Sequence, residues 1–300
     1  MDQKTFEYLY YKVRGFAREE IIREAKISQD EYDILEQSLA GTLQELQSDR
    51  TRAGGIGKDF VRLTRYLYQD RSDQELGLRR PDAVKPRAGD LFALPAVGTL
   101  TLPDMKLAQA IGQRRSLRKY AVEALSQEEL SFVLWASSWA RDFHSSENME
   151  ITRRNVPSAG SRHPLECHLL INNVTGLRPG LYYYHPLKHC LILAETPENI
   201  ADAVCEGCLG QEMVKSSAFT VILSAVAYRT VWRYQQRGYR YLYLDAGHVG
   251  QNIHLAAEAV GAGACMIAAY QDEAMNDCLG LDGIDEFVIY IAAVGKKERA

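Results

Sequence analysis

Residues 237–267 read RGYRYLYLDAGHVGQNIHLAAEAVGAGACMI. Within this stretch Leu242, Ala246, Val249, Ile253, Ala257 and Val260 recur at steps of three and four, the spacing of one helical face. The pattern stops at Gly261 and Gly263, residues of the type that ends helices. The spacing therefore predicts a long helix over 241–260. The segment GAGACMIAA that follows has too few glycines at the wrong spacing for a dinucleotide fingerprint, and it follows a helix where that motif follows a strand.

Strands surround this helix. ECHLLIN (166–172), GLYYYHP (180–186) and CLILAE (190–195) alternate or run apolar, the last two joined by a short turn. AFTVILSAV (218–226) reads as a buried strand, and EFVIYIAAVG (286–295) as another near the C-terminus. Helices are expected over 105–111, 197–209 and 272–279, and one starts at Ser126, which stands with Glu129 at capping-box spacing before Leu130, Val133 and Leu134. Helices around a mostly antiparallel set of strands define an α+β fold.

Residues 1–50 form a different unit, a small helical appendage. TFEYLYYKVRGF, REEIIREA and SQDEYDILEQSLAGTLQEL read as helices, Ser28 and Glu31 again making a capping box. Tyr32, Leu35, Leu39, Leu43 and Leu46 give the third helix a buried stripe. The AKIS turn has a helix-turn-helix flavour, but packing onto the main domain or a partner subunit suits the acidic balance better. Residues 51–95 then change character: SDRTRAGGIG opens the region, KDFVRLTRYLY holds a short helix, and Pro81, Pro86, Pro95 and Pro103 mark an extended linker or wrapping segment. The main domain is expected over 96–300.

The chain of 300 residues carries 35 Lys and Arg against 39 Asp and Glu, a formal charge of −4, which argues against a nucleic-acid or anionic-membrane footprint. Any anion site must be local. The N-terminus MDQKTFEYLYYKVRG lacks the basic start and apolar core of a secretory signal, and no run approaches the ~18–20 apolar residues of a membrane span. Six cysteines beside an ample core suit reduced thiols, so a cytoplasmic protein is expected. Cys205 and Cys208 form a CxxC without a second pair, and the histidines show no metal-ligand spacing. No metal is expected.

Three constellations carry chemistry. Arg114-Arg115-Ser116-Leu117-Arg118-Lys119 gathers four cations and a hydroxyl, the donor set of a phosphate site. Asn155-Val-Pro-Ser-Ala-Gly-Ser-Arg-His-Pro164 is short, polar and small, so its backbone can approach a planar ligand. The aromatic and basic run from Tyr228 to Tyr243 carries four arginines and no acid, and reads as a pocket rim or subunit contact.

Taken together, RRSLRKY, the helix from SQEEL, PSAGSRHPLECHLLI, GLRPGLYYYHP, the 237–267 stretch, CLGLDG and the final IAAVGKK resemble, in order, the nitroreductase superfamily of FMN flavoenzymes. The resemblance is to its SagB-type branch, which includes azoline dehydrogenases of peptide biosynthesis, and it leaves the first 50 residues uncovered. It implies a nitroreductase-like fold and a homodimer with two FMN sites at the subunit interface, the long helix contributing to that interface. By motif match, Arg114, Ser116 and Arg118, with Arg115 adjacent, would hold the phosphate, ribityl chain or pyrimidine edge. Pro157, Ser158, Ala159 and Gly160 would reach the flavin from the partner subunit. Met266, Ile267, Ala268 and Ala269 would turn backbone N–H groups to the flavin edge, Ala269 standing where glycine is common. Lys296 and Lys297 would add phosphate cations.

The resemblance further implies an oxidoreductase working by two-electron hydride transfer through flavin N5 with a small-molecule or peptide substrate, NAD(P)H being one electron donor. The alternatives are azoline dehydrogenation and a flavin-free binding module using the N-terminal helices. The catalytic candidates are Arg233 and Tyr234, at the place of a Lys-Tyr pair in azoline dehydrogenases. Arginine, with a pKa above ~12, is a poor general base where the family carries lysine.

Overall fold

In the computed structural model, residues 2–48, 56–101, 104–146, 149–194 and 197–298 are described. The Leu46 side chain, residues 49–55 of the glycine-rich stretch, Pro103 and Glu195 lie outside them. The chain divides into two compact units, Met1–Tyr68 and Gln69–Ala300.

The first unit is helical: α1 (Gln3–Val13), α2 (Arg18–Glu24), α3 (Gln29–Ser48) and α4 (Ile56–Leu63). The Ser28 capping box forms, with Glu31 N–H donating to Ser28 Oγ (3.1 Å) and Ser28 N–H to Glu31 Oε2 (2.7 Å). Tyr8, Leu9, Ile21, Ala25, Ile27, Tyr32 and Leu43 make a private core, with Leu35 and Leu39 half-buried against it. A seven-member core explains how so short a segment holds three helices together.

The second unit contains β1 (Leu91–Ala93), α5 (Leu107–Gln113), α6 (Gln127–Ser137), β2 (Ala140–Ser146), β3 (Met149–Arg154), β4 (Leu165–Ile171), β5 (Gly180–His185) and β6 (Cys190–Leu193). It continues with α7 (Ile200–Gly207), α8 (Met213–Ser216), β7 (Phe219–Val226), α9 (Tyr228–Tyr234), α10 (Gly238–Ala259), β8 (Ala262–Ile267), α11 (Asp272–Leu279) and β9 (Glu286–Lys296). Seven strands form one sheet in the order β1-β6-β5-β4-β7-β9-β8, every neighbouring pair antiparallel. β2 and β3 form a separate hairpin.

β4 and β7 are buried nearly throughout because both sheet faces are covered, which is why they read as continuous apolar runs. Alternate residues serve opposite faces. Leu169, Val221 and Leu223 join Leu242, Ala246, Val249 and Ile253 of α10, while Leu170 and Ile222 join Val204, Val214 and Met275 under α7, α8 and α11. The α+β fold expected from the sequence is present.

Some elements differ from expectation. The long helix starts at Gly238, three residues before the expected Tyr241. GAGACMI, whose glycines read as a helix stop, forms the edge strand β8. Its Gly263 is needed because a Cβ there would lie 2.6 Å from Leu117 Cδ2. The hairpin β2–β3, β1 and α9 were not anticipated. Residues 69–95 pack with the second unit, β1 pairing with β6.

Candidate functional site

The segment 114–119 leaves α5 at Arg114, whose ψ of 127° ends the helix. Leu117 N–H donates to Ala264 O (3.0 Å), and Ser116 bridges to Ala264, so this segment lies along β8. Leu117 covers Gly263, leaving Ser116 and Arg118 exposed and Arg114 half-buried. Among the described residues no carboxylate is within ion-pair distance of Arg114, Arg115 or Arg118. Arg115 folds onto backbone instead, donating to Arg114 O (2.7 Å) and Gly112 O (3.1 Å). His254 of α10 faces this cluster. Burial pushes its pKa down, and the Arg114 charge adds to the shift.

Lys296 and Lys297 reach the same end of the sheet, since Lys296 pairs with Ala262 in the β8–β9 register. Both ammonium groups are already matched, Lys296 with Glu129 of α6 and Lys297 with the buried Glu258 of α10. Met266 and Ile267 end β8, and Ala268 and Ala269 follow as exposed backbone. Gln211 anchors this exit by donating from Nε2 to Ala269 O (2.9 Å).

The loop 157–163 and the Arg233-Tyr234 pair meet elsewhere. Gly160 has φ +58°, and a Cβ on it would stand 2.6 Å from the Tyr234 hydroxyl and 3.3 Å from Arg233 Cδ. Glycine is therefore required twice, by conformation and by space. The Tyr234 ring meets that of Tyr241 edge to face at 5.0 Å. Ser158 Oγ donates to Asp245 Oδ2 of α10 (2.5 Å) and accepts from His163 N–H (2.9 Å). Burial raises the Asp245 pKa, against the hydrogen bonds from Ser158 and the Ala159 backbone.

Beneath this loop lies a buried cationic layer. The Arg162 guanidinium stacks over Trp232 at 5.1 Å and donates to Arg229 O (3.0 Å) and Glu150 O (3.0 Å). Burial, with Arg233 and Arg229 nearby, lowers its pKa to about 10. Arg229 pairs with Glu166 at 2.5 Å, both side chains 2% exposed, and the Tyr183 hydroxyl also donates to Glu166. Burial alone would raise the Glu166 pKa, but Arg229, Tyr183 and Arg154 outweigh it and hold the carboxyl below its ordinary range. His163 is driven down to about 3 by burial, Arg154, Arg162 and Arg229.

One chain thus has two separate clusters. Residues 157–160 sit with 233–234 near Asp245, while 114–118 sit with β8 and the terminal lysines near Glu258. Thirteen positions of one helix, about 20 Å, separate Asp245 from Glu258. Asp245, Arg162, Arg229 and Glu166 were not singled out from the sequence. Asp245 carried a readable signal, an acid on the same helical face as Leu242, Ala246 and Val249. The CxxC thiols are both buried, and burial pushes Cys208 up to about 12.

A seven-stranded antiparallel sheet backed by one long helix, with a cationic turn lying along its edge strand, defines an α+β protein. The nitroreductase family model matches residues 111–296, and the chain belongs to the nitroreductase family of oxidoreductases. It is similar to MJ1384 of Methanocaldococcus jannaschii, whose name assigns it to the nitroreductases, at 31% identity over 66% of this chain and 96% of that one. It is also 28% identical to the trifolitoxin-processing protein TfxB of Rhizobium leguminosarum bv. trifolii, over 50% of this chain and 41% of TfxB, so less than half of that relative is spanned. A crystal structure from Ralstonia eutropha, titled as a nitroreductase, superimposes with a TM-score of 0.56 at 20% identity, covering 72% of this chain and 95% of that one, and shares the fold. Among the described residues no helix is long and apolar enough to cross a membrane.

Proposed function

We propose that the protein binds FMN without a covalent link and works as a homodimeric oxidoreductase of the SagB-type branch on a small or peptide-derived substrate. The carrying observation is the donor set of Arg114, Ser116 and Arg118, two cations with no carboxylate partner among the described residues and a hydroxyl, which fits a phosphate. When bound, FMN supplies a two-electron couple that exchanges a hydride at N5. The chain's residues do the rest. Arg114 and Arg118 bind the phosphate, the backbone at 266–269 orients the ring edge, and Pro157 to Gly160 close over it from the partner. Lys296 and Lys297 supply charge at longer range, being matched to Glu129 and Glu258.

The separation of the two clusters, which one chain does not bring together, supports the dimer. The outer face of α10 supports it, with Tyr243 and Leu244 58% and 60% exposed. Tyr234 and Arg233 face substrate, the phenol giving or taking a proton and the fixed cation steadying anionic charge as it develops.

Reconstitution with FMN tests the reading: a yellow protein with a flavin spectrum is expected, and a colourless one overturns it. Stopped-flow mixing with NADH or NADPH then separates a nicotinamide-driven reductase from a dehydrogenase of its own substrate. The likeness to TfxB favours a second reading, azoline dehydrogenation in modified-peptide biosynthesis. Arg233→Lys restores the Lys-Tyr pair, and a gain of thiazoline oxidation would support that reading.

A further inference from the structure

The helix α9 is only seven residues long, Tyr228–Tyr234, and too short to persist by its own hydrogen bonds. Residues 70–82, a segment without regular secondary structure of more than a turn, run alongside it and hold it at both ends and in the middle. Arg229 Nε donates to Asp82 O (2.7 Å), and Tyr228 hydroxyl to Asp73 Oδ2 (3.0 Å). Trp232 Nε1 donates to Leu78 O (3.1 Å), while Gln74 N–H donates to Trp232 O (3.0 Å), satisfying a carbonyl that the helix end leaves open.

The last grip is at Gln235. Its amide pairs with both backbone groups of Asp70: Asp70 N–H donates to Gln235 Oε1 (3.0 Å), and Gln235 Nε2 donates to Asp70 O. Gln235 has φ +48° and ψ −142°, a conformation that residues other than glycine rarely adopt and that persists only when the surroundings impose it. It directly follows Arg233 and Tyr234. The turn at Gln235 thus begins where the α9 end carrying these two side chains stops, and the Asp70 backbone holds the turn.

We propose that residues 70–82 form a strap whose latch, Gln235 on the Asp70 backbone, is a positioning device that holds the Tyr234 phenol against Gly160 for reaction with substrate. This rests on the substrate-side reading of Tyr234. It adds a role for a segment outside residues 111–296, the span matched by the family model. Asp70 is exposed and Gln235 half-exposed, so the latch adds little to global stability; its effect is on geometry.

The test uses the full-length FMN-loaded protein, reduced with one equivalent of dithionite and mixed with 4-nitrobenzoate in a stopped-flow instrument. The limiting rate and the half-saturating concentration are read separately. Gln235→Asn keeps an amide and tolerates positive φ but is one methylene too short to reach Asp70. It should lower the limiting rate about tenfold, in line with the cost of a misplaced reacting group, with FMN content, half-saturation and melting temperature nearly unchanged.

Tyr234→Phe should lower the limiting rate as well, and the double variant should be no slower than Tyr234→Phe alone, because the latch acts through that phenol. If Tyr234→Phe leaves the rate intact, the substrate-side reading fails. If Tyr234→Phe slows the reaction and Gln235→Asn does not, or if their effects multiply, the latch fails while that reading stands. Should Gln235→Asn not yield soluble flavoprotein, Tyr228→Phe, which removes one partly exposed strap bond, should slow the reaction about twofold to fivefold and be equally silent on top of Tyr234→Phe. An unchanged rate there overturns the strap.

Discussion

Ser158 and Asp245, 87 residues apart in sequence, share a 2.5 Å hydrogen bond that ties the 157–163 loop to the buried face of α10. Ser158 Oγ also accepts from His163 N–H (2.9 Å), so the one hydroxyl links the helix to both ends of the loop.

Removing that carboxylate should loosen the loop. Asp245→Ala leaves the Ser158 hydroxyl without its acceptor and is expected to cost about 1–3 kcal/mol. A urea midpoint unchanged from wild type would show that the bond carries no stability.

A larger loss is expected at Glu166, the carboxylate that faces Arg229 and Arg154 in the interior. Glu166→Gln leaves buried guanidinium charge uncompensated and should destabilise by about 3–5 kcal/mol. Tyr183→Phe, which removes only a donor to that carboxylate, should cost far less. Thermal melts of the two variants with equal losses would refute the assignment.

Acid should destabilise the second unit through its buried imidazoles. His163 and His168 have folded pKa values depressed by burial to about 3 and about 4, against about 6.5 unfolded. Below pH ~6.5 the unfolded chain takes up protons that the folded chain refuses, so stability falls as pH falls, by up to about 1.4 kcal/mol per pH unit for each residue. Above pH ~6.5 these two contribute no slope. Urea titrations at pH 7.5 and 5.0 should differ in this direction, and equal midpoints would contradict it.

For the proposed FMN site, Arg114→Ala should raise the FMN dissociation constant about tenfold or more, since a charge-assisted hydrogen bond is lost. Arg153→Ala is the control, because Arg153 is engaged with Asp142 on the β2–β3 hairpin at 2.9 Å. Fluorescence titration with FMN showing equal effects would remove Arg114 from the site.

Most of the fold was legible because its cues are local. The Ser28 and Ser126 capping boxes, the α10 stripe and the apolar runs of β4 and β7 each announce themselves within ten or twenty residues. β8 was hidden because Ala262, Gly263 and Ala264 have low strand propensity, and glycine is there to admit Leu117, a tertiary demand. The β2–β3 hairpin was hidden by its exposure, which leaves ARDFHSS and MEITRR largely polar. α9 was hidden because a distant strap maintains it. Gly160 and Tyr234 were each singled out from the sequence, but their contact spans 74 residues and depends on how α9 and the loop pack, which spacing does not encode.

The length of α10 has a genetic consequence. If each complete site takes its cation end from one chain and its Tyr234 end from the other, a lesion at either end damages both sites of a dimer, yet different lesions can rescue one another. Chains carrying Arg114→Ala mixed with chains carrying Tyr234→Phe would form hybrid dimers with one doubly damaged site and one intact site, restoring roughly a quarter of wild-type activity. Two failing alleles would then complement within one gene. Sites built within single chains would show no such rescue.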